Sequence, residues 1–484
     1  MLLGVPREVN QFFRPIAGDL SKPIRSAIAP MVLAMLLAPH RRRLKTIAGM
    51  VLGGRVHAGT ISRRLSNPLW TTRDWYERLS HATSAAADRD ERPLTKKRKR
   101  RFYLIFDSTL HHTFGVCMGN TITLNTRKDS RRKITRHHLF VMGLLFTDTG
   151  VRIPLPRKSY YSKEYCNKHN RKYRTQNDLA VLMINDAPVP PDAEVIVLFD
   201  SAFDCDKIHR ACRRRGFFEV FPIDPGRVEA EDAQPHSLRK DRTPVVAGTL
   251  DWEEKEFTAI ELDVKNEAHA EIRRRHVDNH RVKKTRRKYV VAGRRLSLSK
   301  LGECLVVASY KENPDVELLE NQSERWQDHR VEQANRRKSR HDHKKPSRWL
   351  GKVLACTVPG ATAADAVELY ELRWQIELFF RELKSRMQLG EYVLFDFRRV
   401  ERYLDLILMG FLYLERRRLD ELRRTGRRPV KNDRRHHDRT TDRLRTLEAD
   451  LLSFNCQYIK ERIGSRRGRT ELMRKLETTV GQVA

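Results

Sequence analysis

Apolar positions in this chain follow two rhythms, and the points where one gives way to the other divide it into regions. Residues 1–95 keep the three-to-four spacing of helices: "SAIAPMVLAMLLA" (26–38) predicts a core helix, and "HAGTISRRLSNPLWTTRDWYERL" (57–79) predicts two short helices with a turn near Asn67–Pro68. After a charged stretch, "DRDERPLTKKRKRR", alternation and short apolar runs take over. "RFYLIFD" (101–107), "TFGVCMGN" (113–120) and "HHLFVMGLLFT" (137–147) predict strands. A helix over "TQNDLAVLMINDA" (175–187), a strand over "EVIVLFD" (194–200), a helix over "CDKIHRACRRRG" (205–216) and a strand over "FFEVFPID" (217–224) follow. Three strands, helix, strand, helix, strand imply an α/β fold, a mixed sheet covered by helices.

From about 225 to 345 the regularity falls. Strand-like pieces such as "KEFTAIELDV", "KYVVAG" and "CLVVASY" stand between dense positive runs, "RRRHVDNHRVKKTRRK" and "RRKSRHDHKKPSR". "WLGKVLACTV" (349–358) returns the chain to the sheet, and "TAAD" (362–365) caps a helix carrying "YELRWQIELFFRELK" (370–384). Two apolar-periodic helices lie beyond 400. The expected domains are a helical DNA-binding region at 1–95, a sheet domain at 96–224 completed by 346–400, an inserted β-containing basic module at 225–345, and a helical basic tail at 401–484. Within the first, Ser62, Arg63 and Arg64 stand near the start of a helix that reads either as a recognition helix or as part of a plain bundle.

Charge sharpens this picture. Lys and Arg number 96 against 62 Asp and Glu, a formal net charge of +34. Folding does not need such an excess; a polyanion does, because each neutralised phosphate releases condensed counterions. No lipidation signal or long basic amphipathic helix speaks for a membrane surface, so double-stranded DNA is the expected partner. Seven scattered cysteines without a CxxC pair point to reduced thiols. The histidine pairs His111/His112, His137/His138 and His436/His437 lack zinc spacing and read as solvated or phosphate-facing. The run "IAPMVLAMLLAP" is too short to span a bilayer, and no targeting segment is visible, so a cytoplasmic location is expected.

The chemistry concentrates on carboxylates. Two apolar strands run into aspartate, "YLIFD" at Asp107 and "VIVLFD" at Asp200, where a side chain faces a cleft at the sheet edge or caps the next turn. Asp204 and Asp206 compete with Asp200 but lie where a helix start would use them. Read as one helix, residues 369–387 bury Leu369, Leu372, Ile376, Phe379, Phe380, Leu383 and Met387, and align Tyr370, Arg373, Glu377 and Lys384 in a stripe beside that face. Asp107, Asp200 and Glu377 together offer hard oxygen donors of the kind Mg²⁺ takes, and two such ions serve in-line phosphoryl transfer.

Tyr370-x2-Arg373-x3-Glu377-x6-Lys384, with its surroundings "LRWQIELFFRELK", resembles the Tyr-Arg-Glu-Lys signature of a group of bacterial insertion-sequence DDE transposases. "FDST" at Asp107 and "LFDSAF" at Asp200 are similar to that group's two aspartate segments, although an acidic residue often stands where Ser108 does. The long stretch from Asp200 to Glu377 matches a β-strand insertion known in the group. The resemblance implies a ribonuclease-H-like catalytic domain with Asp107, Asp200 and Glu377 as ligands of two Mg²⁺ ions, for which Mn²⁺ can substitute. It further implies that Tyr370, Arg373 and Lys384 hold DNA phosphates. The expected partners are transposon ends and target DNA, with a homodimer in the paired-end complex and a nucleoid-associated bacterial setting. A non-catalytic DNA-binding regulator derived from such an enzyme, and a metal-dependent nuclease without strand transfer, stay open as alternatives.

Overall fold

In the computed structural model, residues 4–38, 44–50, 57–91, 100–112, 118–128, 131–147, 150–223, 254–263, 286–312, 349–387, 389, 394, 396–425 and 440–473 are described. The elements in chain order are α1 (Arg7–Phe12), α2 (Lys22–Leu37), α3 (Leu44–Met50), α4 (Ala58–Ser66), α5 (Thr72–Glu91), β1 (Arg101–His112), β2 (Ile122–Lys128), β3 (Arg131–Thr147), β4 (Arg152–Pro154) and β5 (Lys158–Ser159). Then come α6 (Lys163–Lys168), α7 (Gln176–Asp186), β6 (Glu194–Leu198), α8 (Asp206–Arg215), β7 (Phe218–Pro222), β8 (Thr258–Asp263), β9 (Arg286–Leu298), β10 (Gly302–Glu312) and β11 (Trp349–Cys356). The described chain closes with α9 (Ala363–Glu371), α10 (Trp374–Ser385), α11 (Phe397–Thr425) and α12 (Thr440–Ile463). This is the expected fold class: mixed α/β of the ribonuclease-H-like kind, with helical terminal regions.

The chain divides into two units, Met1–Val195 with Trp374–Ala484, and Ile196–Arg373. In the first, β3 is the shared strand. It pairs antiparallel with β1 from Phe102↔Thr147 to His112↔His137, with β2 at its start, and with β4 and β5 along its later half. Alternation puts Asp107, Thr109 and His111 on one face with Met142, Phe140 and His138, and Phe106 with Gly143 on the other. An added Cβ at Gly143 would lie 2.3 Å from Met183 Sδ of α7, so any larger residue there would push the methionine aside. α10 packs on β1 and β3.

Helix α11 organises the rest of this unit. Leu404, Leu406, Ile407, Leu408, Met409, Phe411 and Leu412 are all buried, so the helix is apolar on nearly every side. α2, α4 and α5 lie against it. At Gly410 the approach is close enough that a Cβ would stand 2.9 Å from Leu36. Two acids on this apolar helix are buried with cations. Glu415 sits between Arg152 (Nη2–Oε1 3.2 Å) and Arg443, while Asp405 pairs with Arg157 (3.0 Å). Burial alone would raise the Glu415 pKa, but the flanking guanidiniums of Arg443 and Arg152 hold it down to about 2.

In the second unit β6 and β7 run parallel, and β7, β11, β10, β9 and β8 follow as antiparallel neighbours. Helices α8 and α9 pack on this sheet. Gly216, in the left-handed conformation (φ 66°), ends α8, and a capping box of Thr362 and Asp365 opens α9.

Several expectations change. β1 does not end at Asp107 but continues to His112, because the full-length pairing with β3 takes up the backbone groups of Ser108 and Thr109. The segment 113–117 lies outside the described residues, and Met118–Asn120 is a turn with Asn120 at φ 58°. The strand beside β3 is instead β2, "ITLNTRK". The second of the two helices over 57–79 runs on to Glu91. The dense basic runs at 273–285 and 336–348, and His436/His437, lie outside the described residues.

Candidate active site

Asp107 sits mid-strand, at the point where β1 passes from fully buried residues to half-buried ones. Its Oδ1 accepts the Ser108 N–H at 2.7 Å. α10, carrying Glu377 and Lys384, packs on this strand, so two of the expected residues share one unit with Asp107. Glu377 is half-buried, next to buried Ile376 and Leu378. Lys384 stands seven residues on, about 10 Å along the helix axis. Its side chain reaches solvent, yet enough protein surrounds the ammonium to lower its pKa from the lysine value.

The histidines of this face are not solvated, contrary to expectation. His111 is 2% exposed and His138 0%. His138 Nε2 bonds the Gly119 carbonyl oxygen at 2.9 Å, while neither ring nitrogen of His111 has a hydrogen-bond partner among the described residues. Burial, with Lys384 nearby, drives the His111 pKa down to about 3, so the ring is neutral at physiological pH. His111 rests edge-on against Phe140. The signal was in the sequence: His111 falls on the same alternation as Asp107 and Thr109. His112, out of phase, is exposed.

Asp200 lies just past β6, half-exposed, and caps a short 3₁₀ turn by accepting the Ser201 N–H at 2.8 Å. Its rivals are engaged elsewhere. The Asp204 side chain is 1% exposed and faces His209 Nε2 at 3.0 Å, and the other nitrogen of His209 faces Glu219 at 3.0 Å. Glu219 is in turn tied to β11's end, its N–H donating to Thr357 Oγ1 at 2.8 Å. Asp206 pairs with Arg210 one turn along α8. The Asp200 carboxylate itself is engaged only by the Ser201 N–H among the described residues.

The stretch read as one helix is two. The amides of Leu372 and Arg373 bond back to Leu369 and Tyr370 in i→i+3 fashion, at 3.0 and 2.9 Å, and the helix is interrupted between Glu371 and Trp374. The break coincides with the passage from one unit to the other. The proposed stripe is therefore divided: Tyr370 belongs to the last turn of α9, Arg373 to the interruption, and Glu377 and Lys384 to α10. Tyr370 is 8% exposed, and its ring is flanked by the Lys352 ammonium (5.2 Å) and the Arg373 guanidinium (5.9 Å). The other two acids of this stretch are paired: Tyr289 OH donates to Glu371 at 2.6 Å, and Glu382 binds Arg152 at 2.9 Å.

At the N-terminal region, Ser62, Arg63 and Arg64 occupy the later turns of α4, not its start. Arg399 of α11 donates to Ser62 Oγ at 3.1 Å and Arg402 to the Leu65 carbonyl at 2.6 Å, so this helix face is turned to α11. Arg63 remains exposed, whereas burial lowers the Arg64 pKa.

By donor chemistry the three carboxylates fit a hard divalent ion, each offering oxygen alone. Among the described residues no three His, Cys, Asp or Glu side chains stand together as a ready ligand set.

A ribonuclease-H-like α/β fold presenting carboxylates on a central strand and a neighbouring helix defines a class of phosphoryl-transfer enzymes. Residues 165–412 match the model of the transposase DDE domain, and the chain belongs to that family of DNA-cleaving and strand-transferring enzymes, which use divalent metal. Asp200, Glu377 and Lys384 fall inside the matched span, and Asp107 lies ahead of it. No curated protein matches the chain. No helix among the described residues is long and apolar enough to cross a membrane.

Proposed function

We propose that this transposase binds the ends of an insertion sequence of the Tyr-Arg-Glu-Lys group, cuts there and joins the freed ends to target DNA. Asp107, Asp200 and Glu377 are the proposed ligands of two Mg²⁺ ions. When bound, such ions activate a water or 3′-hydroxyl and stabilise the leaving oxygen of an in-line displacement. The observation that carries this reading is the packing of the Glu377 helix on the strand that bears Asp107, in a chain of the transposase family.

The remaining roles belong to the protein's own cations. Lys384, on the same helix as Glu377, holds a backbone phosphate of the strand end, and Arg373 with the rim of Tyr370 holds another. Buried His111 stays neutral beside Lys384, so the ammonium keeps its charge for phosphate without a competing cation. Arg63 contributes a phosphate contact from α4, with Ser62 and Arg64 set back toward α11. The paired-end complex is a homodimer acting on chromosomal DNA in a bacterial cytoplasm.

A strand-transfer assay on paired element ends tests the reading. Asp107→Asn and Glu377→Gln are expected to retain end binding and lose nicking at least ~1,000-fold, the equivalent of ~4 kcal/mol at the transition state. End binding without any Mg²⁺-dependent nicking by the wild-type chain would instead favour the regulator, and nicking without joining the nuclease.

A further inference from the structure

Apart from the carboxylate face, the first unit holds a cavity of about 500 Å³ lined by the start of α5, β5, the α6–α7 loop, α7 and the start of α11. Eight cations line it against three carboxylates. The carboxylates are already occupied. Asp405 and Glu401 both bind Arg157, at 3.0 and 3.1 Å, and also take hydroxyl donors: Thr72 to Asp405 at 2.7 Å, Ser159 and Tyr161 to Glu401 at 2.6 and 2.8 Å. Asp186 pairs with Lys158. The floor is thus a closed network, with Arg157 and Lys158 each 5% exposed.

The rim is different. Arg73, Arg171, Lys172, Arg174 and Arg398 are exposed and line the same space, and none has a carboxylate partner among the described residues. Arg171 lies 4.7 Å over the Tyr161 ring, which covers that aromatic face. Trp70, the other aromatic of the lining, is 2% exposed. The cavity therefore offers cations for an anion and little aromatic surface on which a base could stack.

We infer that this cavity is a second, sequence-independent binding site for backbone phosphates of the DNA strand being processed. The sheet sets its distance from the carboxylate face. Phe140 of β3 pairs with Thr109 of β1 on one side and Ser159 of β5 on the other, so the cavity floor lies two strand spacings, about 10 Å, from the Asp107 strand. At 3.4 Å per phosphate along one strand, that is about three nucleotides. The inference rests on the transposase reading for the identity of the strand, and on charge and geometry for the site itself.

The test uses the full chain and a random-sequence duplex without divalent metal, with affinity measured by fluorescence anisotropy across a salt series. Replacing the exposed rim residues as Arg171→Glu, Lys172→Glu and Arg174→Glu is expected to weaken binding at least tenfold near 0.1 M salt. It should also flatten the log K against log salt slope by up to about 2.7, at ~0.9 for each of three phosphates no longer neutralised. The control carries the same charge change at Lys460, Arg466 and Arg467. A wild-type slope in the rim variant, or an equal loss in the control, would overturn the site. Should the wild type fail to join DNA while the rim variant alone loses slope, the cavity stands and the transposase reading falls.

Discussion

Two buried histidines, His111 four residues along β1 from Asp107 and His209 against the turn that follows Asp200, solve the same problem in opposite ways. His209 has both ring nitrogens at 3.0 Å from carboxylates, Asp204 and Glu219. His111 has neither nitrogen bonded among the described residues, and burial keeps it neutral with a pKa of about 3. Buried polar groups are nearly always satisfied, and an exception calls for a local reason. Around Asp200 the need is rigidity: the clamp ties the turn following Asp200 to the sheet and removes Asp204 from competition. Around Asp107 the proposed function asks for a face without further fixed charge, with Lys384 as the proposed contact for the incoming phosphate.

The largest effect should come from breaking a saturated network of the His209 kind. Glu415, between Arg152 and Arg443, is its counterpart inside α11. Glu415→Ala leaves two buried guanidiniums short of an acid and is expected to cost about 4 kcal/mol in urea unfolding at pH 7. The Glu415 pKa is depressed from 4.5 to about 2 in the folded state. Its contribution is therefore complete above pH 4.5 and fades as pH falls toward 2, so wild type and variant should converge in acid. A gap that stays constant down to pH 2 would show that Glu415 is not the linked group.

His209→Ala should come next, at about 3 kcal/mol, since it leaves Asp204 and Glu219 buried and facing each other. Asp204→Asn keeps the shape and one acceptor oxygen, and is expected to fold and nick DNA. Loss of nicking with normal stability in Asp204→Asn would move the metal role from Asp200 to Asp204.

On the other face the effects should be smaller and functional. Lys384→Ala is expected to lower strand transfer by the equivalent of about 1–3 kcal/mol, as for a lost charge-assisted hydrogen bond, with unfolding unchanged. Wild-type joining by this variant would make Lys384 a surface lysine.

His111→Phe should be the mildest, within about 1 kcal/mol of wild type at pH 7.5, because the ring already lies against Phe140 and no bond is lost. Its signature is in pH. The folded pKa lies below the 6.5 of a free histidine, so the unfolded chain takes up the proton first. Wild type should lose stability as pH falls from 6.5 toward 3, and the variant should lose less over that window. Identical pH curves would mean that His111 finds a partner in solution.

Much of this was legible because it is local. Alternation and short apolar runs announced β1, β3, β6 and β7, and "TAAD" (362–365) announced the capping box that opens α9. β2 escaped because "ITLNTRK" has little apolar alternation and is recruited through its backbone by β3. The interruption at Leu372–Arg373 escaped because no glycine or proline marks it. The ion networks were out of reach for a different reason. Arg157 meets Glu401 and Asp405 across more than 240 residues of sequence, and only the fold supplies that proximity.

The central claim, that Asp107, Asp200 and Glu377 hold metal together, has a direct test that does not depend on turnover. With Fe²⁺ in place of Mg²⁺, ascorbate and peroxide generate radicals at the bound ion, and the polypeptide is cut beside its ligands. Joint coordination predicts cuts near residues 107, 200 and 377 in one pattern, suppressed by excess Mg²⁺ and lost together in Asp107→Asn. Cuts confined to one segment, or centred on Asp204 and Asp206 with 107 and 377 intact, would contradict it.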